Sequence, residues 1–289
     1  MFAGNFNLAH EHIEAGLALY DKDAHRDHAV LYHGHDPAVC GYVTDALLLQ
    51  ALGQPDRSVA RVDQGLALAR ELAHAPSLIH ALGFGAETHF LRRDPVRVAT
   101  LASEWLPLAS EFGSPVGVAN AMMMNGWAKF ELGNAEAGLA ELRNGLDRWR
   151  STGSKTWGSF RLGRAAAAFI EAGQAEQGAA LLSEAFQAMD GRGERWYEGE
   201  LLRLQGLLAG SGARTADAEA YFEKAIDLAR AQGARLFELR AAMALNRMRC
   251  DPNERRRRKA LLGSVYGSFT EGLDTPDLRE ATALLDAFS

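Results

Sequence analysis

Histidine is the chemistry-bearing residue type that this chain concentrates. His25, His28, His33 and His35, with Asp36 after them, fall inside one short segment, and His10 and His12 precede it. Imidazoles and a carboxylate are ligands for zinc or nickel. None of the intervals between them is a known ligand spacing, so the segment reads as a solvated loop. In that reading Tyr32 and Pro37 pack on the first helical repeat and Asp36 caps the helix after the loop. No metal and no cofactor is expected. Gly153-Ser154-Lys155-Thr156 has the tail of a phosphate-binding loop, but Ser154 stands where that loop needs glycine. No strand pattern precedes it to aim backbone amides at a phosphate. Gly210-Ser211-Gly212 lacks the third glycine of a dinucleotide loop and reads as an inter-helix connection. Neither GxSxG nor HExxH occurs. No spacing gathers a nucleophile, a base and an orienting group, so the chain is expected to be non-catalytic.

The elements around these residues are set by an internal period of forty. Ala46, Ala86, Gly126, Ala166 and Gly206 form a small-residue column, and Tyr42, Leu82, Met122, Leu162 and Leu202 a large apolar one. Ala60, Thr100, Ala140, Ala180 and Ala220 form a second small column, and Gly113, Gly153, Gly193 and Gly233 a column of stops. Such a period means two-element units that bury their apolar faces only by stacking on neighbours. Both small columns are expected to let helices approach closely while the large column fills the space between them. Ser114-Pro115 opens one helix with a cap and a first-turn proline, and Asn134 is placed to cap its partner. Ala137, Leu139, Ala140, Leu142 and Leu146 recur at the steps of a half-buried helix. Arg93-Asp94-Pro95 replaces the glycine in an earlier unit.

These signals predict an all-α solenoid: a half-repeat over 1–20, a long loop over 21–37, and helix pairs over 38–73, 76–113, 115–153, 155–193, 194–233 and 234–272. A capping helix over 273–289 closes the array. Gly16-Leu17-Ala18-Leu19 matches Gly65-Leu66-Ala67-Leu68 in the second helix of a repeat, so the half-repeat lacks its first helix. The amino terminus therefore reads as cut and the carboxyl terminus as natural. Phe2, Phe6, Leu8 and Ile13 are expected to leave an apolar face for self-association or docking.

Composition agrees with a helical, cytoplasmic protein. Apolar residues make up 47% of the chain, and the net charge of −6 argues against a nucleic-acid surface. The run Arg255–Arg258 with Lys259 therefore reads as the polar face of a helix. Two cysteines, Cys40 and Cys250, imply neither a disulfide framework nor a zinc site. The longest aliphatic stretch, 165–170, is far too short to span a membrane, and the first residues lack the pattern of a signal peptide.

The columns, together with Asp36-Pro37, Gly126-Trp127-Ala128, Gly193-Glu194-Arg195, the run from Glu198 to Gly206, Glu238–Ala242 and the ending Phe269–Leu278, resemble the tetratricopeptide family. The resemblance is to its long-period form, the C-terminal solenoid of bacterial cyclase–ATPase fusions and ATPase-coupled regulators. It covers practically the whole chain and implies a right-handed superhelix whose first helices line a concave groove. It also implies a regulatory module binding a protein or peptide, with catalysis in separate domains. Registered on the Ala46 column, the groove is expected to carry His80, Glu87, Asn120, Met123, Trp127, Phe130, Phe160, Glu200 and Arg203. Val43, Gly83, Met123 and Gly163 stand where chaperone-binding relatives clamp a carboxylate, which argues against such a clamp. The alternative is a small-ligand sensor with an effector in the same groove.

Overall fold

The computed structural model describes residues 1–25, 27–210 and 215–287, and among the described residues regular structure is helical throughout. A first helix, α1 (Phe6–Ala18), is followed by one π-helical turn at Ala29–His33. Pairs then follow in order: α2 (Pro37–Leu52) with α3 (Pro55–Glu71), α4 (Ala75–Leu91) with α5 (Pro95–Glu111), and α6 (Pro115–Glu131) with α7 (Ala135–Ser151). After them come α8 (Gly158–Glu171) with α9 (Ala175–Arg192), α10 (Glu198–Gly210) with α11 (Thr215–Gln232), and α12 (Arg235–Asn246) with α13 (Pro252–Tyr266). The last helix, α14 (Pro276–Asp286), packs on α12 and α13. The architecture is thus all-α, built from consecutive helix pairs. No described helix is long and apolar enough to cross a membrane. Ser211, Gly212 and Phe288, and the side chains of Tyr32 and His33, lie outside the described residues.

The chain divides into two units, an amino-proximal one (Asn7–Gln50 and Pro55–Ser154) and a carboxy-proximal one (Met1–Phe6, Ala51–Gln54 and Lys155–Ser289). Helix boundaries in both follow from cap chemistry. Ser114 Oγ accepts from the Gly117 amide at 3.2 Å, and Asp94 accepts from Arg97 N at 3.0 Å. Asp36 Oδ1 accepts from Ala38 N and Val39 N at 2.9 and 3.0 Å, as a capping aspartate should. Asn134, by contrast, makes no side-chain cap; Glu136 in the first turn of α7 complements the helix dipole instead. The glycines of the stop column turn left-handed, with φ between 68° and 72° at Gly113, Gly153, Gly193 and Gly233. Ala73 and Arg93 adopt the same turn at φ 49° and 59°, although a Cβ makes it cost about 1–2 kcal/mol.

The first small column packs as the period requires. Ala46, Ala86 and Ala166 are fully buried. At Gly126 a Cβ would lie 2.5 Å from Leu142 N and 2.7 Å from Gly138 O, so α6 and α7 meet backbone to backbone. The second small column does not pack this way. Ala60, Thr100, Ala140, Ala180 and Ala220 are all exposed. The inward column stands two residues earlier, at Ser58, Val98, Gly138, Gly178 and Ala218, where every member is buried. Two residues are more than half a helical turn, so one column must face away when the other faces in. Ser58 Oγ even donates to the Ala46 carbonyl at 2.7 Å, closing the contact between α2 and α3.

The start of the chain also departs from expectation. Phe6 is fully buried in the carboxy-proximal unit, edge-on to Phe237 with ring centroids 6.4 Å apart. The Phe2 carbonyl accepts from Arg195 N and Trp196 N at 2.7 and 3.2 Å. The Phe2 ring lies 5.1 Å from Trp157, and Gly4 is pressed against Gln232. Phe6 is therefore no docking surface: its own chain covers it. Within the amino-proximal unit, Ile13 and Leu17 of α1 seat on the bare backbone of Gly41. Leu8 and Phe2 keep 51% and 43% of their surface exposed.

Candidate functional site

Within each unit the forty-residue period sets one position of a first helix against its equivalent in the next, as Cys40 with His80 and Glu200 with Arg240 show. In the amino-proximal unit that position holds Cys40, His80 and Asn120; in the carboxy-proximal unit it holds Phe160, Glu200 and Arg240. The two triplets differ in chemistry.

In the carboxy-proximal unit the position carries a buried ion-pair chain. Arg203 lies 3.0 Å from Glu200, Arg240 lies 3.6 Å from Glu200, and Arg240 reaches Asp277 of α14 at 2.8 Å. Glu200 and Asp277 are almost wholly buried. Burial works against the Arg240 charge, but the Asp277 and Glu200 carboxylates more than offset it and raise its pKa. Burial raises the Tyr197 phenol too, with Glu200 adding to it. Phe160 joins Trp157, Trp196, Tyr197 and Phe237 in an aromatic core, and the Arg164 guanidinium lies 5.2 Å above its ring. Glu194 caps α8 from a later turn: its carboxylate accepts from Trp157 N, Ser159 N and Ser159 Oγ at 2.9–3.2 Å.

In the amino-proximal unit the same position carries neutral, metal-ligating groups. The His35 and His80 rings stack with centroids 4.0 Å apart and planes 6° apart. Cys40 lies beside both, and one ligand atom from each of the three residues falls within 4.8 Å of the others. Burial, with His35 adding to it, pushes the His80 imidazole down to about 3, so it is neutral at pH 7. Burial also raises the Cys40 thiol, opposed by Thr44 at 3.8 Å. A cleft of about 420 Å³ opens on the other side of Cys40, between α1 and α2, walled by Ile13, Leu17, Leu19, Tyr20 and Pro37. His25 and His28, 4.6 Å apart, line this cleft as well.

Most of the residues expected in a groove lie between helices. Met123 is fully buried against the backbone of Gly145, and Phe160 is fully buried in the aromatic core, so neither reaches a partner. Glu87, Asn120 and Glu200 are 2–3% exposed, and Trp127 is packed edge-on to Phe90 at 4.8 Å. His80, Phe130 and Arg203 are the three that keep partial exposure. The reason is geometric: a first helix is flanked by its own partner and by the adjacent first helix of its unit, as α6 by α7 and α4 and α8 by α9 and α10, which leaves less of its surface for solvent. Arg240, Asp277 and His35 were not among the expected groove residues. The repeat offset, applied to Glu200 and to Cys40, points to Arg240 and His80.

The remaining motifs resolve as structural. Gly153–Thr156 lies in the connection between α7 and α8. The basic run opens α13 behind an Asp251 cap, with Arg257 on Glu254 and Glu223, and Arg258 on Glu254 and Glu219. Asp45 is held by His10 at 2.5 Å and by Arg61 at 3.0 Å, and Arg61 also reaches Glu14.

No protein-family model matches the chain. It is similar to an uncharacterized protein of Rhizobium meliloti (strain 1021), 28% identical over 254 residues that cover 86% of this chain. Among solved structures it is similar to a signal transduction ATPase with numerous domains, with a tetratricopeptide repeat sensor, from Pyrococcus horikoshii. That likeness has a TM-score of 0.49 and 12% identity, over 87% of this chain and 39% of the other. The chain spans 25% of the length of the curated relative it matches.

Proposed function

We propose that this chain is a non-catalytic interaction module of a longer signalling protein, taking a peptide or protein partner on the solvent-facing strip of its first helices. The observation that carries the reading is the side-by-side placement of equivalent positions, as in the 3.6 Å approach of Arg240 to Glu200 across one repeat. A partner crossing the helices of either unit meets one comparable side chain per repeat, the arrangement that repeat scaffolds use for extended ligands. His80 and Phe130 in the amino-proximal unit, and Arg203 in the carboxy-proximal unit, are the residues assigned to such contacts, each unit taken by itself, in apolar and cationic types suited to interface anchors. The length of the relative, four times that of the matched region, agrees with a module inside a larger polypeptide.

The test is quantitative capture of proteins on the immobilised chain, comparing the parent with Phe130→Ala/Arg203→Gln. Glu176→Lys, an exposed change on α9, is the control. A partner depleted at least about tenfold by the double variant and retained by the control supports the reading. Equal retention by all three chains overturns it. The cleft between α1 and α2 favours a second reading, a small-ligand sensor, because it is enclosed mainly by apolar side chains with a few polar groups. A metabolite that raises the melting temperature of the parent, but not of Thr44→Leu, would select it.

A further inference from the structure

We propose that His35, Cys40 and His80 form a binding site for a borderline-soft divalent cation, Zn²⁺ foremost. Three observations converge on it. One ligand atom from each residue lies within 4.8 Å of the other two. A tetrahedral zinc, with about 2.0–2.1 Å to nitrogen and about 2.3 Å to sulfur, sets its ligand atoms roughly 3.3–3.7 Å apart, so side-chain rotation alone closes the set. Secondly, His80 Nε2 is shut off from solvent and has no hydrogen-bond partner. A buried nitrogen of this kind is costly unless something binds it. Thirdly, the backbone holds the three residues in place without any metal. The Asp36 amide donates to Ser77 Oγ at 2.8 Å, which ties the segment carrying His35 to the first turn of α4, one turn before His80. The Asp36 carboxylate caps α2, and Cys40 sits one turn into that helix.

The protonation states suit the task. His80 is already neutral at pH 7, so it offers a lone pair without losing a proton. Cys40 must ionise: the S–H bond breaks, the sulfur pair goes to the metal, and about one proton leaves per ion bound. The open fourth position is left for water or an external ligand, as in sites with three protein ligands. The other grouping of ligand-type residues among those described, His10 with Glu14 and Asp45, differs decisively. There the Arg61 guanidinium already occupies both carboxylates and repels a cation.

Co²⁺ is the probe, titrated into the full metal-stripped chain in weak buffer. The expected result is one ion per chain, a near-ultraviolet thiolate-to-cobalt band, and release of about one proton. Zn²⁺ should displace the cobalt and raise the melting temperature. Cys40→Ala should abolish the band. His35→Ala, in the segment before α2, should weaken binding at least about 100-fold. Cys250→Ser and His10→Ala should change neither. Circular dichroism identifies any variant that unfolds, and the His35→Ala measurement then stands for the site. Absence of saturable cobalt uptake overturns the proposal, as does full binding by folded Cys40→Ala or His35→Ala.

Discussion

One repeat position reads Cys40 and His80 in one unit and Glu200 and Arg240 in the other. The backbone makes these residues neighbours in both places, because they stand forty apart on successive first helices. The outcome differs with the side chains. Glu200 and Arg240 meet as opposite charges and extend to Arg203 and Asp277, so the position is electrostatically closed. Cys40 and His80 meet as neutral groups, with a histidine nitrogen left unpartnered. The repeat thus sets adjacency, and the residue type alone decides whether the adjacency is filled by ion pairs or kept open to a ligand.

Four changes probe that contrast. The largest effect is expected from Arg240→Met, which strips the buried Asp277 of its cation and leaves Glu200 with one fewer. Removing one member of a buried charge set costs about 3–5 kcal/mol, read by urea denaturation. A triple variant with Glu200→Gln and Asp277→Asn added should recover much of it. If Arg240→Met costs less than about 1 kcal/mol, the closed position is not a structural element. Next comes the shared backbone: Gly126→Leu should cost about 3 kcal/mol, since the added atoms strike main chain rather than movable side chains. Ala140→Leu, on the outward column, should stay within about 0.5 kcal/mol. Similar melting temperatures for the two would break the common register.

The third change addresses the open position. In metal-free protein the native His80 resists protonation down to about pH 3, whereas the unfolded chain takes the proton near its ordinary value of 6.5. The unfolded state therefore binds more protons below pH 6.5, and stability falls as pH drops from 6.5 toward 3. His80→Asn installs the residue that the next repeat carries here. It should remove on the order of 2 kcal/mol of the loss between pH 7 and pH 4. His89, also held low by burial, adds a slope of the same sign in the same range. An unchanged pH profile would mean that His80 is protonated in the fold. The smallest effect is expected at the turn after α3. Ala73→Gly relieves the left-handed strain and should stabilise by about 0.5–1 kcal/mol, an increase in urea midpoint without a change in slope.

The helix pairs were legible because short connections with glycine stops punctuate them, and because the Ala46 and Leu82 columns repeat in phase. The facing of the second helices was not. Alanine at 60, 140, 180 and 220 is as comfortable in water as in a packed interface, so a small column on a helix does not say which way it points. Groove residues failed for a related reason. Met123 and Trp127 are large and apolar, and that composition suits a contact between repeats as well as an anchor for a ligand. The open site was half legible: Cys40 and His80 stand one period apart, but His35 lies outside the period and reaches them through its ring stacking on His80 and the Asp36–Ser77 hydrogen bond. Phe6 carried no periodic signal at all. Its burial depends on Phe237, more than two hundred residues away.

That last contact has a kinetic consequence. Simple repeat arrays make only short-range contacts, fold from any point and spread outward. The carboxy-proximal unit cannot, because it includes Met1–Phe6 and Ala51–Gln54 along with everything after Ser154. As the chain leaves the ribosome, Phe2 waits for the amides of Arg195 and Trp196, and Gly53 waits for Arg235 and Phe269. Closing loops of this length is entropically slow, and until it happens Phe2 and Phe6 stay open to wrong partners. Residues 1–6 thus find their places only after residues some two hundred positions later have emerged, and deleting them should disturb the late repeats more than the early ones.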